Sequence, residues 1–259
     1  MFDQELKAQL NSALGERLRA FMKCTVRLLV FWAFALVAYQ AFLLPGFGRL
    51  YVFFVIVRTL VHLVWAVIWL LIWKLSVMRI DGLRDRLRSH GTRMHAGDMA
   101  GCWPQVTRDY KAAVKIVDGL WRTSHVSLVQ AFSFAYNITV STFVMGVSQA
   151  IDPTRPANGP LGVFIMVYHT IIMCVALFLW ARINSRCVSM KRASESLLYL
   201  AREHLGTVCR EDTLDHLCFL EAVEEIPCGV EIDGVGLVSF KYVTPLLRII
   251  SIGIPVMVG

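Results

Sequence analysis

Long apolar stretches alternate with basic segments along this chain of 259 residues. Five of the stretches reach roughly 20 residues, the length that a helix needs to cross the hydrocarbon core of a bilayer. They predict membrane spans at 24–44, 50–73, 126–150, 161–181 and 235–258. The pattern therefore predicts an all-α fold, a multi-pass transmembrane helical bundle.

The positive charges predict the orientation of this bundle. Twenty of the 26 Lys and Arg residues fall in the segments 1–23, 74–125 and 182–210. The two loops on the opposite side carry only Arg49 and Arg155. Because Lys- and Arg-rich loops resist translocation, we expect a cell-membrane protein with a cytoplasmic N-terminus and an extracellular C-terminus.

The cytoplasmic segments have helical periodicity of their own. One apolar stripe is expected to run through Trp121 into the third span without a break, and it comprises Val106, Tyr110, Ala113, Val117 and Leu120. The second span is predicted to continue past Trp73 as far as Leu87, and 88–105 to form a turn. A further stripe is predicted to continue the fourth span, and it comprises Met190, Ala193, Leu197, Ala201 and Leu205.

A separate acidic helix is predicted at about 211–226, and Pro227 ends it. The predicted organisation has four parts. These are a cytoplasmic amphipathic segment (1–23), four spans with cytoplasmic extensions at 74–125 (24–181), a cytoplasmic helical anchor (182–234) and a final span (235–259).

Composition narrows the classes of partner. The chain is 56% hydrophobic and only 17% charged, below the quarter that is typical of globular proteins. Its formal net charge of +7 comes largely from residues that flank spans. Contact with anionic membrane lipid is therefore expected, and contact with nucleic acid is not.

Catalytic and metal chemistry find little support in the residue types. The five predicted spans contain no Asp or Glu, and their only histidines are His62 and His169. Seven cysteines, none in an outside loop, argue against a disulfide framework. A zinc site would draw on residues with no tight C-x-x-C spacing, namely His204, Cys209, His216, Cys218 and Cys228. We expect no enzyme, no metal and no cofactor.

Three runs carry a resemblance to a known family. One enters the third span, one leaves the fourth, and one forms the tail: KAAVKIVDGLWRTSHVSLVQAFSFAYNI, FLWARINSRCVSMKRASESLLYL and EAVEEIPCGVEIDGVGLVSFKYVTPLLRIISIGIPVMVG. Extended terminal helices, a short helix, a small-residue break and an outward final span resemble the arthropod gustatory and odorant receptor family. Members have seven spans, so the five here would match the third to the seventh, with the first two missing. The family's Thr-Tyr and Gln-Phe ending is absent from this sequence.

The resemblance implies a gustatory-type chemosensory receptor, a ligand-gated cation channel subunit for small-molecule tastants. It implies a homo- or heterotetramer built around four copies of the final helix, with 211–228 helping to hold the subunits together. The implied pore-lining residues are Ser239, Thr244, Leu247, Ile250, Ser251 and Ile254. The implied ligand-binding residues are Tyr39, Gln40, Phe53, Phe54, Tyr168 and His169.

Simpler interpretations remain open for the same residues. The pore positions also suit plain helix packing, the aromatic residues suit anchoring at the bilayer interface, and His169 suits a hydrogen-bonded core histidine. Arg248 conflicts with cation conduction, because four symmetry-related arginines in a pore repel cations. The alternative function is a non-conducting membrane scaffold or assembly subunit, or a small-molecule carrier.

Overall fold

A computed structural model describes residues 13–43, 49–94, 102–136, 139, 160–188, 196–203, 210, 212–232, 234 and 236–248. The helices are α1 (Ala13–Leu43), α2 (Arg49–Met94), α3 (Trp103–Asp118), α4 (Val126–Tyr136), α5 (Pro160–Val188), α6 (Leu197–Glu203), α7 (Thr213–Glu225) and α8 (240–248). A π-helical turn, Gly119–Thr123, lies between α3 and α4. Two-residue strands, β1 (Glu231–Ile232) and β2 (Gly236–Leu237), pair antiparallel between α7 and α8. The predicted all-α fold is confirmed.

Three helices are long and apolar enough to cross a membrane. The qualifying segments are Gly15–Ala38, Ile56–Arg88 and Val167–Val188, which overlap the first, second and fourth predicted spans. Large apolar side chains on α1 point away from the protein: Phe31 is 75% exposed and Phe34 is 74% exposed. Exposing such surface to water costs about 25 cal/mol per Å², so these helices belong in lipid. The chain is a membrane protein.

The third and fifth predicted spans are only partly covered by the described residues. The third begins as the apolar helix α4, and 140–150 lie outside the described residues. The fifth was predicted to begin at 235, but β2 occupies Gly236–Leu237 and α8 begins at 240. The predicted start is wrong because Gly234 and Gly236 have φ of 81° and 94°, a backbone that turns the chain into a hairpin. Residues 249–258 lie outside the described residues.

Helix α2 continues without interruption for 46 residues. This confirms that the second span runs past Trp73, but it corrects the predicted turn at 88–105, since α2 extends to Met94. A single Gly in a helix costs only about 1 kcal/mol, so Gly91 does not end it. Pro104 marks the start of α3, where a proline is tolerated because its missing N–H has no helical partner.

The predicted uninterrupted path from the 106–121 stripe into the third span is wrong. The stripe itself is buried as expected at Val106, Tyr110 and Val117. The helix then widens into the π-helical turn and breaks at His125, whose φ is 56°. The Ser124 hydroxyl bonds back to the Leu120 carbonyl, which favours a local turn over continued α-helix.

The predicted extension of the fourth span is also corrected. Helix α5 ends at Val188, and a new helix, α6, begins after Ser196, whose Oγ accepts a hydrogen bond from the Tyr199 N–H at 3.2 Å. This is a serine N-cap, so Leu197 and Ala201 are buried on a separate helix. Met190, Ala193 and Leu205 lie outside the described residues. The acidic helix is confirmed as α7, with Pro227 just beyond it.

The chain divides into two compact units. The first comprises 1–74 and 140–166, and the second comprises 75–139 and 167–259. In the second unit, α3, the π-helical turn, α6 and α7 pack with the parts of α2 and α5 that belong to that unit. We call this assembly the helical core, and it contains most of the fully buried large side chains among the described residues.

Candidate functional site

Four of the six predicted ligand-binding residues lie in the first unit. Tyr39 and Gln40 lie near the end of α1, and Phe53 and Phe54 lie near the start of α2. Of these four side chains only that of Phe53 is described, and it is exposed. A cleft formed by these residues stays a prediction.

The other two predicted ligand-binding residues lie together on α5 in the second unit. The Tyr168 and His169 rings meet edge to face, with their centroids 5.0 Å apart. His169 is buried and Tyr168 is half-buried. The structure thus brings this pair into contact, and the burial of His169 suits a packed core residue as well as a ligand contact.

Three of the six predicted pore residues are described. The Ser239 carbonyl accepts bonds from the Tyr242 and Val243 N–H groups at 3.1 and 3.0 Å, so Ser239 starts α8. Thr244 is exposed and Leu247 is half-buried on that helix. Ile250, Ser251 and Ile254 lie outside the described residues, so the predicted pore line is covered only over its first half.

Aromatic side chains hold α3 against α7 in the helical core. Trp103 stacks on His216 at 4.1 Å between ring centroids and lies 5.7 Å from Phe219. Tyr110 meets Phe219 edge to face at 6.0 Å. Each aromatic pair contributes about 0.5–1.5 kcal/mol beyond the area it buries. These contacts explain why the apolar stripe of α3 is buried.

Two hydrogen bonds tie the ends of α6 and α7 into the same layer. The Tyr110 hydroxyl donates to the Ile226 carbonyl at 2.7 Å, just beyond the end of α7. Burial raises the pKa of Tyr110 well above its usual range, so the hydroxyl remains a donor at neutral pH. His216 Nε2 lies 2.8 Å from the Ala201 carbonyl on α6, and its N–H donates to that oxygen.

The π-helical turn joins three helices through one tryptophan. Trp121 is fully buried, and its Nε1–H donates to the Ser76 hydroxyl on α2 at 2.9 Å. Its ring meets Trp180 of α5 edge to face at 5.9 Å. π-Helical turns in α-helices occur frequently at functional sites. This one sets the position from which α4 departs.

The hairpin that precedes α8 is bonded to this same turn. Arg122 Nη1 lies 3.2 Å from Glu231 Oε2, and Ser127 Oγ lies 3.2 Å from the Glu231 carbonyl. On the other side, Asn184 Nδ2 of α5 donates to the Cys228 carbonyl at 3.2 Å. The segment leading into α8 is therefore held by α4, α5 and the π-helical turn at once.

A charge cluster lies between α2 and α5. The Asp81 Oδ1 atom accepts from Arg84 Nη1 at 2.8 Å and also from Arg186 Nη1. The Arg84 side chain is 8% exposed, that of Arg186 is 18% exposed and that of Asp81 is 34% exposed. The Nε atoms of both arginines are buried and have no hydrogen-bond partner. Two guanidinium groups thus share one carboxylate oxygen.

Two faces of the second unit expose large apolar side chains. On α7 and just beyond it these are Leu214, at 71% exposure, together with Leu217 and Ile226. On α8 they are Tyr242, at 64% exposure, and Leu246. Arg248 is exposed near the last described turn of α8. These faces are available to lipid or to another protein chain.

The described residues offer no group of three or more His, Cys, Asp or Glu side chains placed to hold a metal ion. Six cysteines are described and all are free thiols, namely Cys24, Cys102, Cys174, Cys187, Cys218 and Cys228. Burial raises the pKa of the Cys102 thiol, which disfavours the reactive thiolate. His216, one of the residues weighed for zinc, instead bonds a backbone carbonyl.

Two features were missed from the sequence. The π-helical turn leaves no distinct residue signature, although Gly119 and the Ser124–His125 pair mark a weak point in the stripe. The charge cluster had a partial signal, since Asp81 and Arg84 stand three apart on a helix and so share a face. Arg186 is 105 residues away from Asp81, and only the packing of α2 against α5 brings it there.

No protein-family model, no curated protein and no solved structure matches this chain. Function therefore has to be argued from the residues and their arrangement.

Proposed function

We propose that the chain is a subunit of a gustatory-type chemosensory receptor, a ligand-gated cation channel for small-molecule tastants. The observation that carries the proposal is the path from the helical core into α8. Helix α7 ends at Pro227, the hairpin is bonded to α4 and α5, and α8 follows with an exposed apolar face. A movement of the membrane helices would reach α8 through these bonds.

The exposed faces of α7 and α8 support assembly into a multimer. Leu214 and Leu217 lie three residues apart on α7, so they stand on one side of the helix, and Tyr242 and Leu246 stand four apart on α8. Contiguous exposed apolar side chains mark surfaces that contact protein or membrane. In the proposed tetramer α7 contacts a neighbouring subunit, and α8 lies around the central axis.

The ligand in this proposal is a small, uncharged molecule that binds among the membrane helices. The Tyr168–His169 pair supplies an aromatic edge and a polar ring in contact. An apolar cavity with a few polar groups suits such a ligand. We assign no catalytic role to the chain.

The testing experiment is mass determination and imaging of the full chain purified in mild detergent. A particle with fourfold symmetry and the C-terminal helices at its centre supports the channel, and ligand-evoked currents should follow. A double change, Leu214→Glu with Leu217→Glu, is expected to dissociate the assembly. Glu225→Gln, on an exposed position of the same helix, should leave it intact. A monomer, or a dimer without a central helix, would contradict the proposal.

A second candidate, a non-conducting assembly subunit, is favoured by Arg248. This residue is exposed on α8, and four copies close to a pore axis repel cations. The two candidates separate on currents. If fourfold particles form but neither the wild type nor Arg248→Gln conducts, the chain is a scaffold. If Arg248→Gln conducts with a changed cation-to-anion permeability ratio, Arg248 lies at the pore of a channel.

A further inference from the structure

The charge cluster between α2 and α5 has an excess of positive charge. Arg84 and Arg186 both donate to Oδ1 of Asp81, so one carboxylate neutralises only one of the two guanidinium groups. Arg84 is more than nine-tenths buried. A buried cation is costly to leave uncompensated. The cluster therefore calls for a second anion.

The donor atoms of the cluster lead to the same conclusion. The Nε–H groups of Arg84 and Arg186 are buried and have no acceptor. A buried donor without a partner loses the hydrogen bonds that it makes with water. The Nε–H and Nη–H groups of an arginine form a fork that matches two oxygens of a carboxylate or phosphate. An oxyanion with several oxygens would satisfy both forks.

The position of the cluster points to phosphate as that oxyanion. Asp81 follows the predicted end of the second span by eight residues, and Arg186 follows the predicted end of the fourth by five. At 1.5 Å per residue these distances are roughly 12 Å and 8 Å beyond the hydrocarbon edge. Lipid headgroups lie at this depth or just below it. Arg79 and Arg182, half-buried on the same two helices, add to the positive charge.

We propose that Arg84 and Arg186 form a phosphate-binding site that takes the phosphorylated headgroup of an anionic lipid. Asp81 holds the two guanidinium groups together when no phosphate is bound and competes with phosphate for them. Asp81 is the most exposed member and Arg186 is the more exposed arginine, so the site opens at that side. Phosphate reaches the two forks when the Arg186 side chain swings outward. This inference goes beyond the proposed channel function and does not depend on it.

The experiment uses the full chain in mild detergent and follows its apparent unfolding temperature. The three probes are short-chain phosphatidylinositol bisphosphate, inorganic phosphate and short-chain phosphatidylcholine. A ligand that binds only the folded state raises this temperature as its concentration rises. Stabilisation by the phosphoinositide alone supports a lipid headgroup site. Equal stabilisation by inorganic phosphate supports a site for free phosphate, and no stabilisation by either overturns the proposal.

Variants separate this site from general attraction between basic protein and anionic lipid. Arg186→Gln is expected to weaken phosphoinositide binding about 10- to 100-fold, the loss that corresponds to a charge-assisted hydrogen bond. Arg108→Gln, an exposed arginine on α3, removes the same charge and should leave binding unchanged. Equal weakening by both variants would overturn the proposal.

Asp81→Asn distinguishes a binding site from an ion cluster that only holds the fold. Removing the competing carboxylate should tighten phosphoinositide binding, whereas a purely structural cluster predicts lower stability with no change in binding. Should Arg186→Gln elute as an aggregate, Arg186→Lys replaces it. Lysine keeps the charge but lacks the fork, so binding intermediate between the wild type and no binding is expected. Wild-type binding by Arg186→Lys would contradict recognition by the fork.

Discussion

The two units of the chain use apolar residues in opposite ways. In the first unit, large side chains such as Phe31 and Phe34 of α1 are exposed. In the second unit, Trp103, Trp121 and Trp180 are almost completely buried, and Trp121 also has a hydrogen bond. Similar residue types thus form a lipid-facing surface in one unit and a packed core in the other.

The difference follows from what surrounds each helix. Lipid tails are as apolar as the side chains that face them, so a helix in lipid gains little by burying those side chains against protein. In the helical core, shape and hydrogen bonds decide stability, because each buried side chain has specific neighbours. Substitutions should therefore have large effects in the second unit and small effects on the exposed face of α1.

The largest expected effect is that of Trp121→Ala. Removing this fully buried ring leaves a cavity between α2 and α5, and we expect a loss of about 3–5 kcal/mol in the free energy of unfolding. The measurement is denaturant unfolding in mild detergent. Phe34→Ala on α1 is the matched change in the first unit, and it should alter stability by less than about 0.5 kcal/mol. Equal losses in the two variants would contradict the comparison.

A smaller effect is expected at the close approach of the hairpin to α5. A Cβ atom on Gly229 would lie 2.8 Å from Leu237 Cδ1 and 3.2 Å from Asn184 Cβ. Gly229→Ala should therefore cost about 1–3 kcal/mol in the free energy of unfolding. Gly82, inside α2, has nothing within 4 Å of the same position. Gly82→Ala should stabilise the protein by about 0.5–1 kcal/mol. Calorimetric unfolding of both variants tests the pair, and a stabilising Gly229→Ala would disprove the crowding.

Tyr110→Phe removes the hydrogen bond to the Ile226 carbonyl. At neutral pH the expected loss in the free energy of unfolding is about 1 kcal/mol. Burial raises the pKa of Tyr110 in the folded state, so above pH of about 10 the unfolded state loses this proton first. Stability from this group therefore falls as pH rises beyond that value. Unfolding midpoints between pH 8 and 11 (roughly the range that spans the model tyrosine pKa) should fall less steeply in Tyr110→Phe. A slope identical to that of the wild type would contradict a buried, protonated Tyr110.

The smallest effect is expected at the surface of the helical core. Arg86 and Asp109 form an ion pair between α2 and α3, and the Arg86 side chain is largely exposed. Exposed ion pairs contribute about 0.2–1 kcal/mol. Arg86→Gln should therefore lower the unfolding midpoint only slightly, and added salt should reduce the difference further. A loss as large as that of Trp121→Ala would remove the distinction between surface and core.

Hydrophobic periodicity predicted the helices and much of the core. The 106–121 stripe, the continuation of α2 and the acidic helix α7 follow from spacing alone, because a helix shows its buried face every three or four residues. Helix ends were less predictable. The hairpin at Gly236 and the break at His125 depend on backbone angles that a hydropathy pattern does not encode.

The candidate sites were predicted less well than the helices. The charge cluster needs Arg186 to meet Asp81 across two helices, a contact that local spacing cannot reveal. The Tyr168–His169 contact was accessible because the two residues are neighbours in the chain. A ligand cleft that combines Tyr39 or Phe53 with that pair stays a prediction, as does the pore line through Ile250 and Ser251.

The π-helical turn at Gly119–Thr123 also changes the rotational phase of the chain. A π turn contains about one residue more than an α turn, and one residue corresponds to roughly 100° around a helix axis. The face that α4 presents is therefore rotated from the face that the α3 stripe would project forward. Deleting one residue from the turn would restore an ordinary helix and swing Ser127 away from the Glu231 carbonyl that it now contacts. One extra residue thus sets the direction in which α4 meets the segment leading into α8.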